Sequence, residues 1–145
     1  MTVLKVKLLA PGAKAPTVAH PGEDLGYDLY ASETVTFLPR GSALVPTGIA
    51  VQIWDASRKA MGALLRDKSS MASKRLIVTA GVIDAGYRGE IRVVMENLAD
   101  HPATIEAGQK IANMVPYPVF TGTVEVVEEL TESSRMTGGF GSSGK

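Results

Sequence analysis

Gly81-Val-Ile-Asp-Ala-Gly-Tyr-Arg-Gly-Glu-Ile-Arg-Val-Val-Met-Glu-Asn97 is the stretch on which the fold turns. Its two ends, Gly81 to Asp84 and Glu90 to Asn97, are short, rich in β-branched residues and bounded by glycine, which reads as the two strands of a hairpin. Ala85-Gly-Tyr-Arg-Gly89 between them reads as a tight turn whose glycines supply unusual backbone angles. The same period of two runs outward along the chain. Leu4, Val6 and Leu8 alternate with Lys5 and Lys7, and Val35 and Phe37 with Thr34 and Thr36. Ile49, Val51 and Ile53 alternate with Ala50 and Gln52, and Val124 and Val126 with Glu125. Alternation of this kind sends apolar side chains to one face of a strand. With 15 Gly and 8 Pro, turn signals recur at the spacing of a β-sandwich, jelly roll or barrel. Only Ser69 to Lys74 reads as helix, with Ser69 or Ser70 as its cap.

The 145 residues suffice for one domain with a real core, and 45% of them are apolar, as in globular proteins. Fifteen basic residues balance fifteen acidic ones, so no net field draws the chain to nucleic acid or to a membrane surface. Without cysteine there is no disulfide frame and no thiolate chemistry. Lys5 and Lys7 interrupt the first apolar run, which does not read as a signal peptide. No run approaches the roughly 18 apolar residues that span a bilayer. A soluble, cytoplasmic protein is the expectation. After Leu130 the character changes: Thr131 to Lys145 holds four glycines and four serines, with Met136 and Phe140 as its large apolar side chains. The expected organisation is a β domain over 1–130 and a flexible C-terminal lid over 131–145, ordered by what it binds.

Several segments have the residue types for nucleotide chemistry. Arg135 offers a planar fork for phosphate, Gly138, Gly139, Gly141 and Gly144 let the backbone approach a ligand, and Phe140 is a surface for a base. A functionless Gly/Ser end has the same composition. Lys68, Ser69 and Ser70 combine a cation, hydroxyls and a helix start, an arrangement shared by anion sites and ordinary solvated helices. Asp84 and Tyr87 flank the turn and can face one cleft, where a carboxylate could take a proton from water and a ring could lie on a sugar. Asp in a turn also commonly bonds its own backbone. Gly108 to Asn113 is a turn entering a strand, with Asn113 able to donate and accept. Asp28, in Gly26-Tyr-Asp-Leu-Tyr-Ala31, is an acid in an apolar strand and needs a partner, often an Arg. His20 and His101 both precede proline in loops and do not make a metal site; Trp54 packs at a strand end.

Five of these segments, taken in order, resemble the five motifs of the homotrimeric dUTPases. They are Gly26 to Ala31, Lys68 to Lys74, Gly81 to Glu90, Gly108 to Ala112 and Arg135 to Gly144. The likeness spans about Val3 to Gly144, and the third and fifth motifs are its specific part. It implies an all-β, single-domain distorted jelly roll, the dUTPase β-clip, that splits dUTP into dUMP and pyrophosphate. By resemblance, Asp84 deprotonates the water that attacks the α-phosphorus, and Tyr87 packs on the deoxyribose and excludes a 2′-hydroxyl. Backbone groups at Gly81 and Ile83 read the uracil edge. Ser69, with Ser70 beside it, meets the phosphate chain, and Lys68 binds phosphate while tied to Asp28. Asn113 is a further nucleotide contact. Arg135 takes the γ-phosphate, Phe140 stacks on uracil, and Gly139 and Gly141 let the tail fold over the nucleotide. The resemblance also implies Mg²⁺, held chiefly by triphosphate oxygens and waters with Asp28 reaching it through water, and a homotrimer whose sites draw on several subunits.

Three positions depart from the family pattern. Lys68 stands where Arg is usual and exchanges a bidentate fork for a point charge. Asn113 is one methylene shorter than the common Gln, and Met136 replaces a Gly. Two other readings share parts of the pattern: a dCTP deaminase, which needs a glutamate base in the hairpin region, and a non-catalytic nucleotide sensor. Asp84-Ala-Gly-Tyr87 has the dUTPase form and opposes both.

Overall fold

A computed structural model of the chain describes residues 2–134. Eleven strands and a single turn of helix make up its regular structure, an all-β, jelly-roll-like arrangement. Five strands, β1 (Val3–Leu8), β5 (Ile49–Trp54), β6 (Ala60–Asp67), β11 (Lys110–Pro118) and β2 (Tyr27–Tyr30), lie side by side in that order, all antiparallel. The short β8 (Val82–Ile83) joins the same sheet by pairing with β6. Strands β4 (Ser42–Pro46), β9 (Arg92–Asn97) and β7 (Leu76–Thr79) form a second sheet with β9 in the middle, and β3 (Val35–Phe37) pairs with β10 (Ala103–Ile105).

The core lies where inward faces of these sheets meet. Leu29, Phe37, Val45, Ile49, Ile91, Val93, Met95, Ile105, Ile111 and Met114 are fully buried there. Along β9 the alternation is strict: Val93, Met95 and Asn97 point inward and Arg92 outward. Each such apolar side chain contributes about 1.5–3 kcal/mol by leaving water. Two polar groups share this interior with their bonds satisfied. Thr47 Oγ1 donates to Ile91 O at 2.6 Å. Asn97 Nδ2 donates to Leu38 O and His101 O, while its Oδ1 accepts from Ala99 N. Trp54 closes β5, half-buried, with Lys5 Nζ 5.3 Å from its ring.

Four sequence expectations change. The segments Gly81 to Asp84 and Glu90 to Asn97 do not pair with each other: β8 bonds to β6 and β9 to β4 and β7. The turn between them is therefore a corner that carries the chain from one sheet to the other. Its glycines also act differently, because the glycines with positive φ among the described residues are Gly22, Gly48 and Gly108. Gly81 matters for room instead: a Cβ there would stand 2.5 Å from Leu65 O. The helix α1 (Ser69–Ala72) has Lys68 as its N-cap and no side-chain cap bond, so neither Ser69 nor Ser70 caps it. Val124 and Val126 are 93% and 95% exposed and lie in no strand, since no segment among the described residues pairs with them to complete a ladder.

Gly62 is the counterpart of Gly81 on β6: a Cβ there would lie 2.7 Å from Ile83 O, a backbone atom that cannot step aside alone. Gly62→Ala should cost roughly 1–3 kcal/mol of stability by forcing β8 from β6. Chemical denaturation measures this, and an unchanged midpoint would show that the contact has slack.

Candidate active site

The corner between β8 and β9 holds Asp84 and Tyr87 at fixed spacing. Tyr87 N donates to Asp84 O at 3.0 Å, closing a four-residue turn with both side chains exposed. The Tyr87 ring lies over Gly89, where any Cβ would fall 2.5 Å from its hydroxyl oxygen, and that hydroxyl donates to Glu90 O at 3.0 Å. Gly89 thus makes space for a ring held flat against the backbone. Arg88 braces the turn from within, with Nη1 donating to Ala85 O and Tyr87 O, each at 2.8 Å. With the Gln52 amide oriented oxygen-inward, Nη2 and Nε also reach its Oε1 at 2.9 and 3.2 Å, tying the corner to β5. Beyond the turn, Glu90 accepts from Gly48 N at 2.9 Å and pairs with Arg92 at 2.8 Å. Asp84, Tyr87, Ile83 and Arg92 line a cleft of about 560 Å³.

A second cleft, of about 530 Å³, opens where β2, β6 and β11 end near α1. Asp28 lies at its base, 7% exposed, and meets two ammonium groups: Lys68 Nζ at 3.2 Å from Oδ1 and Lys110 Nζ at 2.7 Å from Oδ2. The partner the buried acid requires is thus a pair of lysines rather than an arginine. Burial pushes the Asp28 carboxyl up, but the hydrogen bonds and charges of Lys110 and Lys68 outweigh it and hold the group below the usual carboxylate range. The same contact holds the Lys110 ammonium above its ordinary value. Asn113 stands on β11 directly between Asp28 on β2 and Arg66 on β6, so all three side chains share one face. Gly108, at φ +81°, sets the turn that delivers Lys110 and Asn113 to the cleft. At the mouth His20 N donates to Asp24 Oδ2 at 2.8 Å, and Nδ1 lies 3.3 Å from Oδ1.

Of the residues singled out in the sequence, Asp28, Lys68 and Asn113 line the second cleft, and Ile83, Asp84 and Tyr87 the first. Ser69 and Ser70 are exposed on α1 beside Lys68, and Gly81 packs on β6 behind β8. Arg135, Met136, Gly139, Phe140 and Gly141 lie outside the described residues. Among the linings given by the described residues the two clefts have no residue in common. Gln52 has no place in the sequence reading of the site, while Arg66, Arg88 and Lys110 lie inside segments that reading singles out but receive no role of their own there. For Lys110 and Arg66 a signal existed, since each lies two or three residues from a residue already singled out.

Among the described residues no three His, Asp or Glu side chains come close enough to hold a metal ion. Both oxygens of Asp28 face ammonium groups, and a metal-bound water there competes with both. The donor set suits a Mg²⁺ that arrives on polyphosphate oxygens better than one resident in a protein cage. No helix among the described residues is long and apolar enough to cross a membrane.

A strand-built scaffold with an acid and a flat ring in one cleft and clustered cations in another defines a nucleotide-handling β protein. Comparison with known proteins narrows that class. The dUTPase family model matches residues 12–144. The deoxyuridine 5′-triphosphate nucleotidohydrolase of Clostridium tetani is 41% identical over 98% of this chain and 97% of its own length, and that of Clostridioides difficile 38% over 97% of each. The dUTPase of Staphylococcus bacteriophage 80alpha, solved with dUpNHpp, superposes with a TM-score of 0.88 at 31% identity, covering 99% of both chains. A variant of the phage phi11 dUTPase, described with a coordinated structural Mg(II) ion, superposes at 0.78 with 29% identity over 88% of this chain and 97% of that one. This chain belongs to the dUTPase family.

The depressed Asp28 carboxyl has a consequence for stability. Its folded value lies below the unfolded one, near 3.9, so its stabilising share is whole at neutral pH and is lost as pH falls below about 4 through the folded value. Asp28→Asn should lower the unfolding midpoint at neutral pH and flatten the acid-side decline. Stability curves of variant and wild type that coincide from about pH 7 to about pH 2 would contradict this.

Proposed function

We propose that the protein hydrolyses dUTP to dUMP and pyrophosphate, and so supplies dUMP for thymidylate synthesis while keeping uracil nucleotides out of DNA. The observation that carries this reading is the Asp84–Tyr87 corner: a carboxylate and a sugar-sized aromatic surface, locked at the two ends of a four-residue turn on one cleft, in a chain of the dUTPase family. Asp84 orients a water and takes its proton as the water oxygen bonds to the α-phosphorus; the bond from that phosphorus to the departing pyrophosphate oxygen breaks. Tyr87 packs on the deoxyribose and leaves no room for a 2′-hydroxyl, and backbone groups at Gly81 and Ile83 read uracil. Lys68, Ser69, Ser70 and Asn113 take the phosphate chain. Mg²⁺ enters on the triphosphate, whose charge it partly neutralises. Arg135 and Phe140, with Gly139 and Gly141 between and beside them, grip the γ-phosphate and the base.

The division of labour between the clefts supports a homotrimer with shared sites. The Asp84 cleft has Arg92 as its cation, and that is committed to Glu90; the lysine cleft has no benzene-type ring. Among the described residues neither lining combines a benzene-type ring with an uncommitted cation. Leu25, Leu44 and Val82 beside the clefts, and Phe120, Val124, Val126 and Leu130 beyond β11, expose apolar surface of the kind that subunits cover.

Product analysis with dUTP, UTP, dTTP and dCTP, with and without Mg²⁺, tests reaction, sugar and base together. Cleavage confined to dUTP is expected, while ammonia release from dCTP would mark a deaminase instead. Asp84→Asn should lower kcat by roughly 10²–10⁴ and keep nucleotide affinity. A variant that turns over at the wild-type rate removes Asp84 from the role of base.

A further inference from the structure

Three strong cations and three carboxylates line the lysine cleft, yet one of the cations is left without an ion pair among the described residues. Asp28 is shared by Lys68 and Lys110, Asp24 is taken by His20, and Asp67 Oδ1 accepts from Val78 N at 2.7 Å. Each acid of the lining is engaged. Arg66 remains: an exposed guanidinium that makes no ion pair or side-chain hydrogen bond among the described residues.

Its position is fixed by the sheet. Arg66 and Asp67 end β6, and side chains alternate along a strand, so Asp67 reaches Val78 from one face while Arg66 stands on the other. On that face Asn113 is its direct cross-strand neighbour and Asp28, with its two lysines, is one strand further. Lys68 follows two residues after Arg66 and lines the same cleft. A free planar fork thus faces a cleft whose other strong cations are already tied to a carboxylate.

We propose that Arg66 binds the terminal phosphates of the nucleotide and supplies in this cleft the bidentate contact that Lys68, a point charge held by Asp28, does not. Arginine matches two phosphate oxygens at once, whereas an ammonium cannot. The inference rests on reading the protein as a dUTP hydrolase and adds a substrate-binding residue to that reading. It accounts for the Lys68 departure: the fork is moved two residues along the strand rather than lost.

The test compares wild type, Arg66→Met and Arg66→Lys for equilibrium binding of the non-hydrolysable dUpNHpp and of dUMP, which lacks the terminal phosphates. Arg66→Met should weaken dUpNHpp roughly 10- to 100-fold and leave dUMP unchanged, and Arg66→Lys should recover part of the loss. The unfolding midpoint should not move, because the side chain is exposed and unpartnered. Unchanged dUpNHpp affinity in Arg66→Met overturns the proposal, as does an equal loss for dUpNHpp and dUMP. A wild type that cleaves dUTP while Arg66→Met binds normally rejects Arg66 alone; a wild type that neither binds nor cleaves rejects the parent reading with it.

Discussion

The structure depends on the close approach of β8 to the middle of β6. Gly62 and Gly81 permit it, because a Cβ at either position would press on a backbone carbonyl of the opposite strand. That contact fixes where the chain leaves the large sheet, and Ile91 N, bonded to Ile49 O at 2.8 Å, fixes where it enters the next layer. Between these anchors the corner has little freedom. Asp84 and Tyr87 gain their relative geometry from it, and Arg88, Gln52 and Glu90 stiffen it by bonds to backbone and β5. Asp84 and Tyr87 lie on a loop, but the loop is held like part of the sheet, which fixes their geometry in advance of any ligand.

The second cleft follows a different logic. A buried carboxylate is costly unless it is compensated, and here Lys110 at the start of β11 and Lys68 at the N-cap of α1 converge on Asp28. Removing Asp28 would leave two ammonium groups without their counter-charge, so the triad fixes chain segments as well as charge. The positions of β2, the start of β11 and the α1 turn are linked through one side chain. Three strong cations gather at this cleft together with three carboxylates, so the local charges, like those of the whole sequence, are close to balanced.

Much of this was legible beforehand, and the failures have physical reasons. Strand alternation revealed β1, β3, β5 and β9, and the Asp84–Tyr87 turn was readable from its residue types. The pairing of the turn's flanks was not, since local pattern says that a segment is a strand but not which strand receives it. Glycine in a turn signals unusual backbone angles, yet Gly81 and Gly89 make room for a nearby carbonyl and a nearby ring, neither visible in a one-dimensional string. Lys110 and Arg66 gain a place in the site only from the cross-strand register, which sets them beside Asp28 and Asn113. Val124 and Val126 have strand character in the sequence but lie in no strand and are exposed, because alternation alone supplies no pairing partner.

The central claim is that a working site joins the Asp84 cleft of one chain to the lysine cleft of another. Subunit complementation tests it most directly. A chain carrying Asp84→Asn is refolded together with one carrying Lys68→Met and Lys110→Met, and dUTP cleavage is compared with each chain alone. Sharing predicts that the mixture regains roughly a quarter of wild-type activity, the fraction of sites that draw both intact halves from different chains. A mixture no more active than its two components would contradict it and place both halves of the site in a single chain.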